Sequence, residues 1–217
     1  ILTVTALGSV GVFNNPLSTN ARNLIVVSGG SQYLDVAGSI DSLRLDAGTA
    51  GVDLKAGGSI LDSDLATDVT AGQLSLKAGG SIGSASVPVQ IAVSDLEASA
   101  GGNLHLANIA TSPLTVGGVR GGLSGLTAGG ALQLTTLGSL SILEQLTSLG
   151  PLSVFANGVA IIAAEVDSHG GPLSIQAGGD LTVTANVTSG GGTVTVSAVE
   201  NIVLAPGTSI AAGAGMV

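Results

Sequence analysis

The tripeptide Ala-Gly-Gly recurs along this chain, and its spacing limits the folds that the chain can adopt. It begins at Ala56, Ala78, Ala100, Ala128 and Ala177. The first steps are 22, 22 and 28 residues, and Ala156 and Ala198 extend the series with steps of 28, 21 and 21. A motif that returns at nearly constant spacing indicates stacked structural repeats.

The segments on either side of this motif have the periodicity of short strands. Apolar residues alternate with Ser, Thr, Lys or Gln before each alanine, as in Leu152 and Val154 or Leu173 and Ile175. A period of two places one set of side chains in a core and the other set on the surface. Proline precedes several of these segments, for example Pro172. Proline has no N–H to give to a sheet, so this predicts a strand start at a corner.

These observations predict an all-β fold, a parallel β-helix (β-solenoid) with coils of about 20–28 residues. A single repeat cannot bury its apolar side chains, whereas stacked repeats can. We expect residues 1–217 to form one solenoid segment that is an interior piece of a longer chain. Glycine pairs would supply positive φ or close backbone approach at corners, and extra residues such as 117–122 would bulge from one face. A β-sandwich also has short strands, but it does not predict one tripeptide at regular spacing.

Composition excludes several classes of protein. Hydrophobic residues make up 45% of the chain and charged residues 9%, which argues against disorder. The longest apolar patches are far shorter than the roughly 18 residues of a transmembrane helix, so we expect no membrane insertion. The net charge is −9, and the five basic residues are scattered along the sequence. Nucleic-acid binding requires a basic surface, so it is not expected.

The repeat units also resemble a known family. The units AGGSIGSASVPVQIAVSDLEASAGGNLHLANIA (78–110) and GPLSIQAGGDLTVTANVTSGGGTVTVSA (171–198) resemble the repeat regions of filamentous-haemagglutinin-type giant bacterial surface proteins. The resemblance extends from about Val52 to Leu204. It implies a right-handed β-helix at the cell surface or in the extracellular space, serving as an adhesin stalk or fibre.

Few residues offer catalytic or ligand-binding chemistry. There is no cysteine, and of the two histidines His105 is expected on the solvated side of a strand and His169 in a solvated turn. Asp62, Asp64 and Asp68 form the densest acidic cluster. Their hard oxygen atoms make them weak candidates for a Ca²⁺ site, and the alternative is a solvated acidic corner loop. We expect no other cofactor.

The leading functional hypothesis is a structural rod segment of an extracellular fibre, adhesin stalk or surface layer, without catalysis. Its expected partners are other copies or neighbouring segments of the same chain, end-to-end or lateral. The first alternative is an adhesive module that recognises a host or polysaccharide surface. A carbohydrate-active β-helix enzyme would need gathered carboxylates and a sugar cleft, and ice binding would need one flat threonine face.

Overall fold

The fold is a parallel β-solenoid of ten turns. The computed structural model describes residues 1–120 and 122–213, and all of its regular elements are strands. The strands are β1 (Leu2–Ala6), β2 (Leu17–Thr19), β3 (Asn23–Ser28), β4 (Gln32–Val36), β5 (Ser42–Asp46), β6 (Gly51–Ala56), β7 (Val69–Thr70), β8 (Gln73–Ala78), β9 (Val89–Ala92), β10 (Asp95–Ala100), β11 (Leu104–Asn108), β12 (Leu114–Val116), β13 (Leu126–Ala128), β14 (Leu132–Thr136), β15 (Leu140–Ile142), β16 (Leu146–Ser148), β17 (Leu152–Ala156), β18 (Ala160–Ile162), β19 (Val166–Asp167), β20 (Leu173–Ala177), β21 (Leu181–Val183), β22 (Val187–Thr188), β23 (Val194–Ala198), β24 (Ile202–Leu204) and β25 (Ile210–Ala211). The predicted fold class is therefore confirmed.

The strands form two sheets. The first sheet has ten strands in the order β1-β3-β5-β7-β9-β11-β14-β17-β20-β23, one from each turn. The second sheet has fifteen strands and forks at β10, whose two halves pair with β12 and β13. At about 4.8 Å per turn, ten turns extend roughly 45 Å along the axis.

The fork changes the cross-section of the rod. Up to β10, each turn contributes one strand to the second sheet, as β4, β6 and β8 do. From β11 onward, each turn contributes one strand to the first sheet and two short strands to the second. The second half of the rod is therefore three-sided.

Three columns of inward-pointing residues run through all ten turns. One begins at Val4 and ends at Ala198, another begins at Val10 and ends at Leu204, and the third begins at Leu17 and ends at Ile210. The third column contains Leu17, Leu34, Leu54, Leu76, Ala98, Leu126, Leu146, Val166, Val187 and Ile210. The predicted alternation is confirmed, since β17 has buried and exposed residues in strict succession.

The Ala-Gly-Gly motif occupies two different corners, which corrects the predicted alignment of the repeats. Ala56, Ala78, Ala100 and Ala128 stack on one another, but Ala128 next pairs with Ser148 and not with Ala156. Ala156, Ala177 and Ala198 stack together in the first sheet. The fork causes this change, and only the turn from 100 to 128 has 28 residues. The expected enlargement over 100–156 was wrong, because the following turn has 20.

Close packing, not positive φ, explains the first glycine after these alanines. A Cβ on Gly79 would collide with the carbonyl oxygen of Gly57 in the preceding turn, and a Cβ on Gly101 would collide with that of Gly79. Glycine is the residue that allows such close backbone approach.

Two buried polar groups interrupt the apolar columns. Gln32 is completely buried in the column of Val10, and its amide nitrogen donates to the backbone oxygen of Asp46 at 2.8 Å. Asn108 lies in the column of Val4, where its Oδ1 accepts a hydrogen bond from the N–H of Val93 at 3.1 Å. Buried polar atoms are costly unless they find such partners.

Candidate functional site

The acidic cluster lies in the loop that precedes β7. Asp62, Asp64 and Asp68 come together as expected, with one carboxylate oxygen from each residue within 4.8 Å of the others. Asp68 is buried, whereas Asp64 is exposed. The N–H of Gln90 donates to Oδ2 of Asp68 at 2.7 Å and fixes its carboxyl group against β9. Three oxygen donors at this spacing fit a hard cation such as Ca²⁺, so the metal interpretation remains a prediction.

Burial controls the ionisation of this cluster. Desolvation raises the pKa of Asp68 to about 8, Asp62 and Asp64 raise it further through charge repulsion, and the N–H of Gln90 opposes the shift. At neutral pH the Asp68 carboxyl is therefore largely protonated when no cation is bound.

The two histidines lie in different environments. His169 is exposed in a turn with φ of 43°, and its N–H donates to Oδ1 of Asp167 at 2.8 Å, as expected for a turn residue. The expectation of a solvated His105 was wrong, because it is 6% exposed. Its Nδ1 lies 3.1 Å from Oε1 of Gln133 on the next strand, and this pairing satisfies one ring nitrogen inside the structure.

The outer face of the second sheet carries a groove that the sequence analysis did not predict. A cavity of about 360 Å³ there is lined by residues of the first three full turns and of the loop before β13: Phe13, Pro16, Tyr33, Leu34, Asp35, Asp53, Lys55, Ser75, Lys77, Gly122 and Leu123. A second hollow adjoins it, shares Tyr33 and Asp53, and adds Gln73 and Arg120. We call the two hollows together the lysine groove.

Strand register explains why these side chains meet. Tyr33, Asp53, Ser75 and Glu97 lie side by side on successive strands and point away from the core. The neighbouring column contains Asp35, Lys55 and Lys77. Residues that are about 20 apart in sequence thus become adjacent on one face.

The electrostatics of the lysine groove are mixed. Nζ of Lys55 lies 3.8 Å from Oδ2 of Asp35. Desolvation raises the pKa of Asp53, and a hydrogen bond with Ser75 partly offsets that rise. The floor of the groove is therefore less negative than its count of carboxyl groups suggests.

Two glutamates hold the loop that forms one wall of the groove. This wall loop consists of residues 117–120 and 122–125; Gly121, part of the predicted insertion, lies outside the described residues. Glu97 accepts a hydrogen bond from the N–H of Val119 at 2.9 Å, and Glu144 accepts one from the N–H of Gly125 at 2.7 Å. Burial and the nearby Glu144 raise the pKa of Glu97, and the N–H of Val119 lowers it. The expected bulge of this insertion is confirmed, and it lies against the sheet.

A short bulge forms the opposite end of the groove. The N–H of Asn15 donates to the backbone oxygen of Val12 at 2.8 Å and closes a tight turn that carries Phe13. The rings of Phe13 and Tyr33 meet edge to face with centroids 6.2 Å apart. Gly11 has a φ of 68°, and a Cβ there would lie 2.6 Å from the carbonyl oxygen of Tyr33, so this position requires glycine.

The same bulge occurs a second time beside His105. Gly83 has a φ of 62°, and a Cβ there would lie 2.5 Å from the backbone oxygen of His105. Both bulges have a glycine followed five residues later by proline and an apolar residue: Gly11, Pro16 and Leu17, then Gly83, Pro88 and Val89. This spacing was the sequence signal that could have identified both places.

Comparison with protein-family models, curated proteins and solved structures found no match for this chain. Among the described residues, no helix is long and apolar enough to cross a membrane. The geometry defines the class: a parallel β-solenoid with a polar groove on its second sheet.

Proposed function

We propose that this chain is a rod-forming segment that stacks head-to-tail with further copies of the same coil. The observation that carries the proposal is the continuity of the three inward columns. They begin at Val4, Val10 and Leu17 in the first turn and end at Ala198, Leu204 and Ile210 in the last. Both ends of the rod therefore offer the same arrangement of apolar columns.

The last turn has apolar surface available for such stacking. Leu204 is 46% exposed, whereas Val183 directly beneath it in the same column is completely buried. Val194 and Val196 of β23 are likewise only partly buried. Covering this surface with another turn would gain roughly 25 cal/mol per Å² of apolar area.

The edges of the terminal strands also favour stacking. In a parallel sheet, each strand uses half of its backbone groups toward each neighbour, so the last strand keeps unpaired N–H and C=O groups at its free edge. A head-to-tail contact between different surfaces does not close on itself and produces a filament.

The setting that we propose is an extracellular bacterial fibre, adhesin stalk or surface layer. The resemblance of the repeat units to those of filamentous-haemagglutinin-type proteins supports it. The absence of cysteine from the sequence is compatible with an oxidising space. In this role the chain acts as a spacer and needs no catalytic group.

Sedimentation velocity over a range of protein concentrations tests this proposal. We expect assemblies that grow with concentration, and we expect Leu204→Lys to weaken them by about tenfold because it places a charge in the stacking surface. Ile161→Lys is the matched control, since Ile161 is 38% exposed but lies on the side of the rod. A chain that stays monomeric at every concentration, or that loses assembly only with Ile161→Lys, would contradict end-to-end stacking.

A further inference from the structure

We propose that the lysine groove binds an acidic polysaccharide through the carboxylate groups of its sugar rings. This binding site goes beyond the rod-forming role and does not depend on it. It would make the rod an adhesive surface as well as a spacer.

The distribution of basic residues is the first argument. The whole chain carries a net charge of −9 and has five basic residues. Three of them, Lys55, Lys77 and Arg120, line the lysine groove. Of the other two, Arg22 is bound to Asp41 at 2.7 Å, and Arg44 lies on the first sheet. An acidic protein thus concentrates its positive charge at one groove, where it can attract anions.

The placement of the lysines is the second argument. Lys55 and Lys77 are direct neighbours on adjacent strands, and like charges in this arrangement repel each other. Asp35 contacts Lys55, and Lys77 forms no ion pair within residues 1–120 and 122–213. A ligand carboxylate near Lys77 would relieve the repulsion and could form a charge-assisted hydrogen bond.

The remaining groups of the groove suit a sugar ring. Phe13 is 52% exposed and meets Tyr33 edge to face, so the two rings offer an apolar surface at the end of the groove. Asp53 and Ser75 lie on the floor and can exchange hydrogen bonds with hydroxyl groups. The cavity volume of about 360 Å³ is sufficient for a small ligand.

The groove is also a preformed surface. Its floor consists of the adjacent strands β4, β6 and β8, and one wall is held by the hydrogen bonds of Glu97 and Glu144. Rigid binding groups lose little conformational freedom when a ligand binds, which favours affinity.

Isothermal titration with tetragalacturonate, which has a carboxylate on every ring, tests the proposal on the complete chain. Cellotetraose is the neutral probe of equal length, and a heparin tetrasaccharide is the sulfated probe. We expect tetragalacturonate to bind and cellotetraose to bind at least tenfold more weakly. Heparin binding that equals or exceeds tetragalacturonate binding would overturn the assignment to carboxylated sugars.

Matched variants locate the binding. Lys77→Gln should weaken tetragalacturonate binding about three- to tenfold, because it removes one charge-assisted contact. Arg44→Gln removes the same charge on the other sheet and should leave the affinity unchanged. Phe13→Ala, in the exposed bulge, should weaken binding about threefold. Circular dichroism checks that each variant keeps its β structure. Absence of tetragalacturonate binding, or equal losses in Lys77→Gln and Arg44→Gln, would overturn the proposal.

Discussion

Replacement of Asp68 by Asn should make the stability of the rod less dependent on pH. Asp68 is 2% exposed, and its Oδ2 accepts the N–H of Gln90. The asparagine oxygen can accept the same hydrogen bond, while the amide carries no charge that burial would penalise. The variant thus removes the titration and keeps the packing.

The sign of the effect follows from the raised pKa. In the folded chain the pKa of Asp68 is about 8, against an ordinary value of 3.8. Between these values the folded state binds more protons than the unfolded state, so stability falls as pH rises. The slope is about 1.4 kcal/mol per pH unit, and the loss from pH 5 to pH 9 is about 4 kcal/mol at most. Local opening of the acidic loop would reduce this figure.

Urea unfolding at pH 5, 7 and 9 measures this effect. We expect the native chain to lose stability across the series, and Asp68→Asn to lose much less. Asp64→Asn serves as the control because Asp64 is exposed in the same loop. A native chain that becomes more stable from pH 5 to pH 9, or equal slopes for native and Asp68→Asn chains, would refute the reasoning. If the cluster binds Ca²⁺, added CaCl₂ at pH 9 should restore stability to the native chain and not to Asp68→Asn.

Three further changes have defined outcomes. Leu76→Ala, in a completely buried column, should lower the free energy of unfolding by about 2–5 kcal/mol, and Val196→Ala, in the partly exposed last turn, by less than about 1 kcal/mol, measured by urea unfolding. Gly79→Ala should destabilise the fold by more than about 2 kcal/mol because its Cβ meets backbone, whereas Gly8→Ala, with open space around it, should be tolerated in the same assay; similar losses for both would contradict the close-packing explanation. Glu144→Gln should loosen the wall loop, because an amide replaces one of the two oxygens that accept backbone N–H groups, and limited proteolysis should then cleave this loop faster than in the native chain.

The sequence predicts the architecture because each repeat carries its own strand pattern. Alternation such as that of Leu173 and Ile175 depends only on neighbouring residues, and it is confirmed as a buried ladder. The alignment of Ala128 with Ala156 was wrong because the fork at β10 depends on contacts between turns. A local motif cannot report that one long strand is replaced by two short ones in the next turn.

The candidate sites show the same division. Asp62, Asp64 and Asp68 are close in sequence, and their proximity in space was predictable. Lys55 and Lys77 of the groove are 22 residues apart and become neighbours only through the register. His105 has a surface position in its strand pattern, yet it is buried beside a bulge whose effect on exposure the alternation does not contain.

Electron microscopy of the assembled chain tests the central claim most directly. If the three columns continue from one copy to the next, concentrated protein should form unbranched filaments one rod wide, with a spacing of about 4.8 Å along their axis that runs through the junctions. Separate rods, or rods associated only side by side, would contradict the account.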